Sequence, residues 1–182
     1  GISKSNFYYH FKCKEDLGFA VLEKWIEGYG IHMLNEVLRD ENLAPPARLE
    51  RFFSKLAALI ERSGGRLGCP FGNLSLELSD IHEGFRTRLA QFFKEWAQAL
   101  EECLEQGKRE GVWSKDLDSR EMAFFIIAAA EGSILLTKTF RSPPLFHDGM
   151  EVIWRMLDGY KPFFPENENR IAKENRIAKE NR

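Results

Sequence analysis

The sequence predicts an all-α protein. Three observations carry this: strand-like alternation is absent, apolar residues recur at spacings of three and four, and capping or breaking residues fall at the ends of the periodic stretches. With 182 residues, 43% of them hydrophobic, the chain can bury a real core in one or two small domains.

The elements follow in order. Ser3 is placed to cap a short helix that runs to His10, and Lys12 and Cys13 make a turn. Residues 14–38 read as one long helix with Leu17, Val21, Trp25, Leu34 and Leu38 among its apolar positions. Gly18, Gly28 and Gly30 interrupt it and mark a bend or a close packing contact. Residues 40–45 form a linker, and Pro46 suits the first turn of the next helix. That helix carries Leu49, Phe52, Phe53, Leu56, Leu59 and Ile60 as one stripe and stops at Ser63-Gly64-Gly65.

A short segment, 68–78, precedes a long amphipathic helix over 83–110. Its apolar side holds Phe85, Leu89, Phe92, Phe93, Trp96, Leu100, Cys103 and Leu104, and Gly111 ends it. Asp118 or Ser119 caps a helix over 120–140, whose stretch 123–130 is apolar all round and predicts burial on more than one face. Arg141-Ser142-Pro143-Pro144 breaks the chain before a last helix with Met150, Ile153, Trp154 and Leu157. Residues 168–173 recur at 174–179, and this period of six fits no regular helical seam, so 166–182 reads as a low-complexity charged tail.

The net charge is -2, but it is unevenly spread. Residues 1–16 and 166–182 are each net +1, which leaves the body at -4. A basic leading edge on an acidic body suits contact with a polyanion at one end only. Cys13, Cys69 and Cys103 show no pairing or zinc spacing, and free thiols suit a reducing cytoplasm. No apolar stretch is expected to reach the roughly 20 residues of a membrane span, and the polar start is unlike a signal peptide.

Enzyme signatures are missing. His10, His32, His82 and His147 lack metal-ligand spacing, and Glu77 and Asp80, three apart, have no histidine to join them. There is no phosphate loop, dinucleotide fingerprint or nucleophile elbow, so a small helical enzyme is the weaker alternative and no cofactor is expected. A helical dimerisation module would explain 118–160 but leave the first 17 residues without a role.

Those first residues read Gly1-Ile2-Ser3-Lys4-Ser5-Asn6-Phe7-Tyr8-Tyr9-His10-Phe11-Lys12-Cys13-Lys14-Glu15-Asp16-Leu17. Gly1 suits a tight turn, and Ser3, Lys4, Ser5 and Asn6 sit at the exposed start of a short helix, where base edges are read. Phe7 and Phe11 are four apart and pin that helix to a core. Tyr8, Tyr9 and His10 face elsewhere, with polar tips for phosphates, and Lys14 stands at a helix N-terminus that favours a phosphate.

The run resembles the recognition-helix signature of the TetR family, a Gly and an apolar residue before a short helix ending in Tyr-x-His-Phe, then Lys-Glu-x-Leu. The downstream helical layout resembles that family's regulatory domain, and 68–80 resembles the entry to its sixth helix in some members. The resemblance implies a helix-turn-helix repressor of double-stranded DNA, with an inverted-repeat operator. It also implies a homodimer paired through its last two helices, and release by a small effector. Two further helices precede this motif in the family. The expectation is therefore a helix-turn-helix remnant at 1–16, a ligand-binding and dimerisation domain at 17–165, and the tail. Trp154 and Met156 are expected to lie exposed on a single subunit.

An elongated apolar pocket is expected inside the regulatory domain. Its candidate wall residues are Trp25, Tyr29, Phe53, Cys69, Phe71, Phe92, Phe93, Trp96 and Phe124, which suit an apolar or aromatic effector. Cys69 stands at a predicted helix start with Arg66 nearby, a setting that lowers a thiol pKa. Some members resembling this segment sense reactive compounds through a cysteine in the region, so a thiol-based electrophile or oxidant sensor is an alternative on the same scaffold. Cys103, on an apolar stripe, is expected to be inert, and Cys13 exposed.

Overall fold

The structure, a computed structural model, describes residues 4–161, and these contain helices and no strand. In chain order they are α1 (Lys4–His10), α2 (Lys14–Trp25), α3 (Pro45–Arg62), α4 (Pro70–Leu78), α5 (Glu83–Arg109), α6 (Ser119–Phe140) and α7 (Pro144–Asp158). Ser3 and the tail at 166–182 lie outside the described residues.

The caps set the ends. Asp118 accepts the Glu121 N–H at 2.9 Å and so starts α6. His82 does the same for α5, its Nδ1 accepting from the Phe85 N–H at 3.3 Å. Pro45 and Pro46 occupy the first turn of α3, where a missing N–H costs nothing. At the other end of α3, Gly64 takes φ +58°, Gly65 N–H returns to the Ile60 carbonyl at 2.9 Å and Gly64 N–H to Glu61 at 2.9 Å. Gly111, with φ +74°, closes α5 by the same pair of bonds, from Val112 to Gly107 and from Gly111 to Lys108.

The predicted single helix over 14–38 is not regular. After Trp25 the chain widens into π-helical turns at Ile26–Ile31 and Leu34–Leu38, the last closed by Arg39 N–H to the Leu34 carbonyl at 3.0 Å. Gly30 in the wide turn lies directly on the Phe92 ring of α5. The expected close contact is present at Gly18, against Phe85, and at Gly30, but not at Gly28.

Helix α5 is the spine. Phe85, Leu89, Phe92, Trp96, Leu100, Cys103 and Leu104 are all buried along it. They meet α3, α4, α6 and the segment 26–38. Arg48 is buried at the base of α3, its Nε donating to the Leu43 carbonyl at 2.8 Å and one Nη to Gln106 on α5 at 2.9 Å.

Two expectations about α6 are corrected. Against the expectation that no stretch is, it is long and apolar enough, by length and composition, to cross a membrane. Its inner residues, Met122, Ala123, Ile126, Ala130 and Ile134, nevertheless pack as core against α5 and α7. Nor is it buried on several faces within one chain, since Phe124, Phe125, Leu135, Leu136 and Phe140 are exposed. On α7, Val152 and Met156 are exposed as expected for Met156, but Trp154 is half-buried edge-on against Phe53.

Candidate functional site

Two features stand out, at opposite ends of a connected path. The first is α1. Phe7 and Phe11 are half-buried with ring centroids 5.8 Å apart, and the Phe11 N–H bonds back to the Phe7 carbonyl at 2.9 Å. This anchoring turns Tyr8 and Tyr9 outward, 64% and 83% exposed. Asn6, His10 and Lys14 are exposed on the same end of the molecule, while of Lys4 and Ser5 only the helical backbone is described. Asp16 of the first turn of α2 accepts the Lys12 N–H at 2.9 Å, which ties the turn before Lys14 to the helix.

Helix α2 docks this end onto α5. Phe19 stacks on Phe85 with centroids 4.1 Å apart, and the Glu23 carboxylate takes both arms of the Arg88 guanidinium at 2.6 and 2.9 Å. His82 Nε2 stands 3.6 Å from Glu15, two residues beyond the recognition-like turn.

The second feature is a cavity of about 910 Å³. The end of α2 contributes Trp25, the wide turn at 26–31 contributes Tyr29, α3 contributes Leu56 and Ile60, α4 contributes Phe71, α5 contributes Phe92 and Trp96, and α6 contributes Ile134 and Thr137. Phe71 and Phe92 approach to 4.2 Å between centroids, and Phe92 and Trp96 to 5.7 Å, which makes one aromatic wall. Trp96 Nε1 and Thr137 Oγ1 are shut off from solvent with no hydrogen-bond partner among the described residues. At the rim, Lys55 Nζ lies 3.1 Å from His32 Nε2, and His32 Nδ1 lies 2.8 Å from Glu36. A smaller, shallower depression of about 430 Å³ lies between α4 and α6 and is bordered by Lys138 and Asn73, 3.2 Å apart.

Of the wall residues expected from sequence, Trp25, Tyr29, Cys69, Phe71, Phe92 and Trp96 line the cavity. Phe53, Phe93 and Phe124 do not. Phe53 packs against Phe52 and Trp154, Phe93 stacks on Trp96 from outside the lining, and Phe124 points to solvent from α6. The rim pair Lys55 and His32 was missed, because residues 23 apart in sequence give no periodic sign of meeting.

Residues 45–153 match the family described as "Tetracyclin repressor-like, C-terminal domain". The chain belongs to the TetR family. It is similar to the HTH-type transcriptional repressor DhaR of Mycobacterium sp. (strain GP1), with 32% identity over 168 residues, 92% of this chain and 79% of that protein. It is also similar to the transcriptional regulator AcuR of Cereibacter sphaeroides, with 30% identity across 80% of this chain and 66% of that one. The crystal structure of a regulatory protein TetR from Rhodobacter sphaeroides superposes with a TM-score of 0.78 at 29% identity, covering 85% of this chain and 81% of the other. This TetR-family chain is thus a helix-turn-helix transcription regulator, a class of DNA-binding protein rather than of enzyme.

Within the TetR fold, Cys69 does not have the character expected of it. It caps α4, its Sγ accepting from the Gly72 N–H at 3.5 Å, but it is buried. Burial pushes the thiol well above its ordinary pKa, and the neighbouring Glu131 carboxyl of α6 pushes it further. Arg66 is exposed and does not offset this. Cys103, also buried, is pushed up to about 11, chiefly by burial, and Cys13 is exposed, both as the sequence suggested. Asp80 lies past the end of α4, so it does not share a helical face with Glu77.

Proposed function

We propose that this chain is a ligand-responsive repressor. It binds an inverted-repeat operator in double-stranded DNA as a homodimer and is released when a small apolar or aromatic molecule fills the cavity. The observation that carries this reading is the cavity itself: about 910 Å³, aromatic on one wall, and open to helices that lead to α1. The DNA end is assigned to Ser3, Lys4, Ser5 and Asn6 for base edges, and to Tyr8, Tyr9, His10 and Lys14 for phosphates. The place of action is the cytoplasm, where the operator is.

Coupling runs through α4. This helix lines the cavity, and the turn after it delivers His82, which caps α5 and faces Glu15 of α2. An occupant that displaces α4 moves His82, and with it the seat of α2 and α1. The free-energy difference between occupied and empty forms then sets how strongly DNA binding is disfavoured. The dimer is supported by the exposed apolar face of α6 and α7, which is too extensive for a free surface.

The test selects operator fragments from genomic DNA with the intact protein and then titrates aromatic compounds against the complex. The expected result is salt-sensitive, sequence-specific retention, lost when a compound binds the cavity. Retention without sequence preference, or compounds that fill the cavity and leave DNA affinity unchanged, would remove the proposal.

A further inference from the structure

The cavity wall is apolar, yet its rim carries charges. Lys55 and Arg62 of α3 and Glu77 of α4 border it, and the Glu36 carboxylate stands behind His32. Arg62 is exposed and its Nε is engaged by the Ala58 carbonyl at 3.2 Å. Lys55 is half-buried, and among the described residues no carboxylate lies within ion-pair distance of it. Its near partner is a ring nitrogen, His32 Nε2, at 3.1 Å.

In the tautomer that places the ring proton on Nδ1, toward Glu36, His32 Nε2 accepts from Lys55. The relay fixes where the ammonium sits and uses one of its three N–H donors. Two donors and a full positive charge remain at the edge of an apolar chamber. A charge in such a place is best stabilised by an anion that arrives with its own apolar body, since the body takes the wall and the anion takes the rim.

We propose that the cavity recognises an aryl carboxylate. Its ring system lies along Phe71, Phe92 and Trp96, and its carboxylate accepts hydrogen bonds from Lys55, with His32 and Glu36 acting as positioning residues. This rests on the cavity being the effector site, and it narrows the effector from any aromatic molecule to a monoanionic one.

The test is calorimetric titration of the intact protein with three matched pairs: benzoate and benzamide, 2-naphthoate and 2-naphthamide, and biphenyl-4-carboxylate and its amide. Each pair keeps shape and changes charge. At least one carboxylate is expected to bind about tenfold tighter than its amide, the scale of a charge-assisted hydrogen bond. Lys55→Met should abolish that preference, and Lys55→Arg should retain it. Should Lys55→Met fail to fold, the wild-type protein decides: carboxylate binding weakens with added salt and amide binding does not. Amides binding as well as their acids, or a preference that survives Lys55→Met, overturns the proposal and leaves the cavity reading intact. Binding by neither member of any pair overturns both.

Discussion

Gly30 lies so close to the ring of Phe92 that a methyl group on Gly30 would overlap the ring edge. The contact joins the wide turn at 26–31 to the spine helix, and both residues line the cavity. Gly30 thus sets how near the turn can come to the aromatic wall.

Gly30→Ala is expected to destabilise the protein by about 1–3 kcal/mol through overpacking, although alanine is the better helix former. Gly28→Ala, two residues away with nothing within 4 Å of the added carbon, is expected to be neutral or stabilising by about 0.5–1 kcal/mol. Urea unfolding of the two variants separates packing from backbone propensity. A Gly30→Ala protein as stable as Gly28→Ala would mean that the Phe92 ring moves aside freely.

The exposed face of α6 and α7 supplies the second prediction. Leu136 is 49% exposed and Met156 39% exposed, on helices that otherwise pack well. Leu136→Arg is expected to turn a dimer into a monomer by light scattering at micromolar concentration while leaving the helical circular dichroism in place, because the charge would be buried only in the assembly. A dimer that survives this change does not use the face.

Glu131 gives a pH prediction. Burial raises its carboxyl pKa above the ordinary 4.5, and the hydrogen bond from Cys69 pulls it partly back. The folded chain therefore holds the proton more tightly than the unfolded one. The stability this contributes is present below the unfolded pKa and is lost as pH rises through the folded value. Glu131→Gln removes the ionisation and nearly keeps the shape. Its melting temperature relative to wild type is expected to rise between about pH 4 and about pH 7. A constant difference across that range would mean that Glu131 ionises freely in the fold.

Thiol labelling tests the environment of Cys69. In the folded protein Cys13 is expected to react promptly, and Cys69 and Cys103 only slowly, because both thiols are buried and held protonated. Under denaturant all three should react alike. Labelling of Cys69 at the rate of Cys13 would restore the reactive-thiol alternative that the structure disfavours.

Much of this was legible in the sequence. The helices were set by local chemistry: Asp118 as a cap, Pro46 in a first turn, Gly64 and Gly111 at helix ends, and apolar residues three and four apart, although α3 begins at Pro45, one residue before the expected start. The run from Gly1 to Leu17 pointed to the DNA-binding class through its resemblance to the family signature and the spacing of Phe7 and Phe11 against the polar tips of Tyr8, Tyr9 and His10.

What the sequence by itself determined is therefore the set of helices, their buried stripes and the family. The tertiary structure alone decided which aromatics wall a cavity and which fill core. That choice depends on how each helix is rotated against its neighbours, and Phe92 and Phe93 are adjacent yet fall on opposite sides of it. It also decided the chemistry of Cys69. The N–H groups at the helix start do pull the thiol pKa down, but folding brings a dry interior and Glu131 that outweigh them. Such long-range neighbours leave no local trace in the chain, because they are fixed by packing and not by spacing.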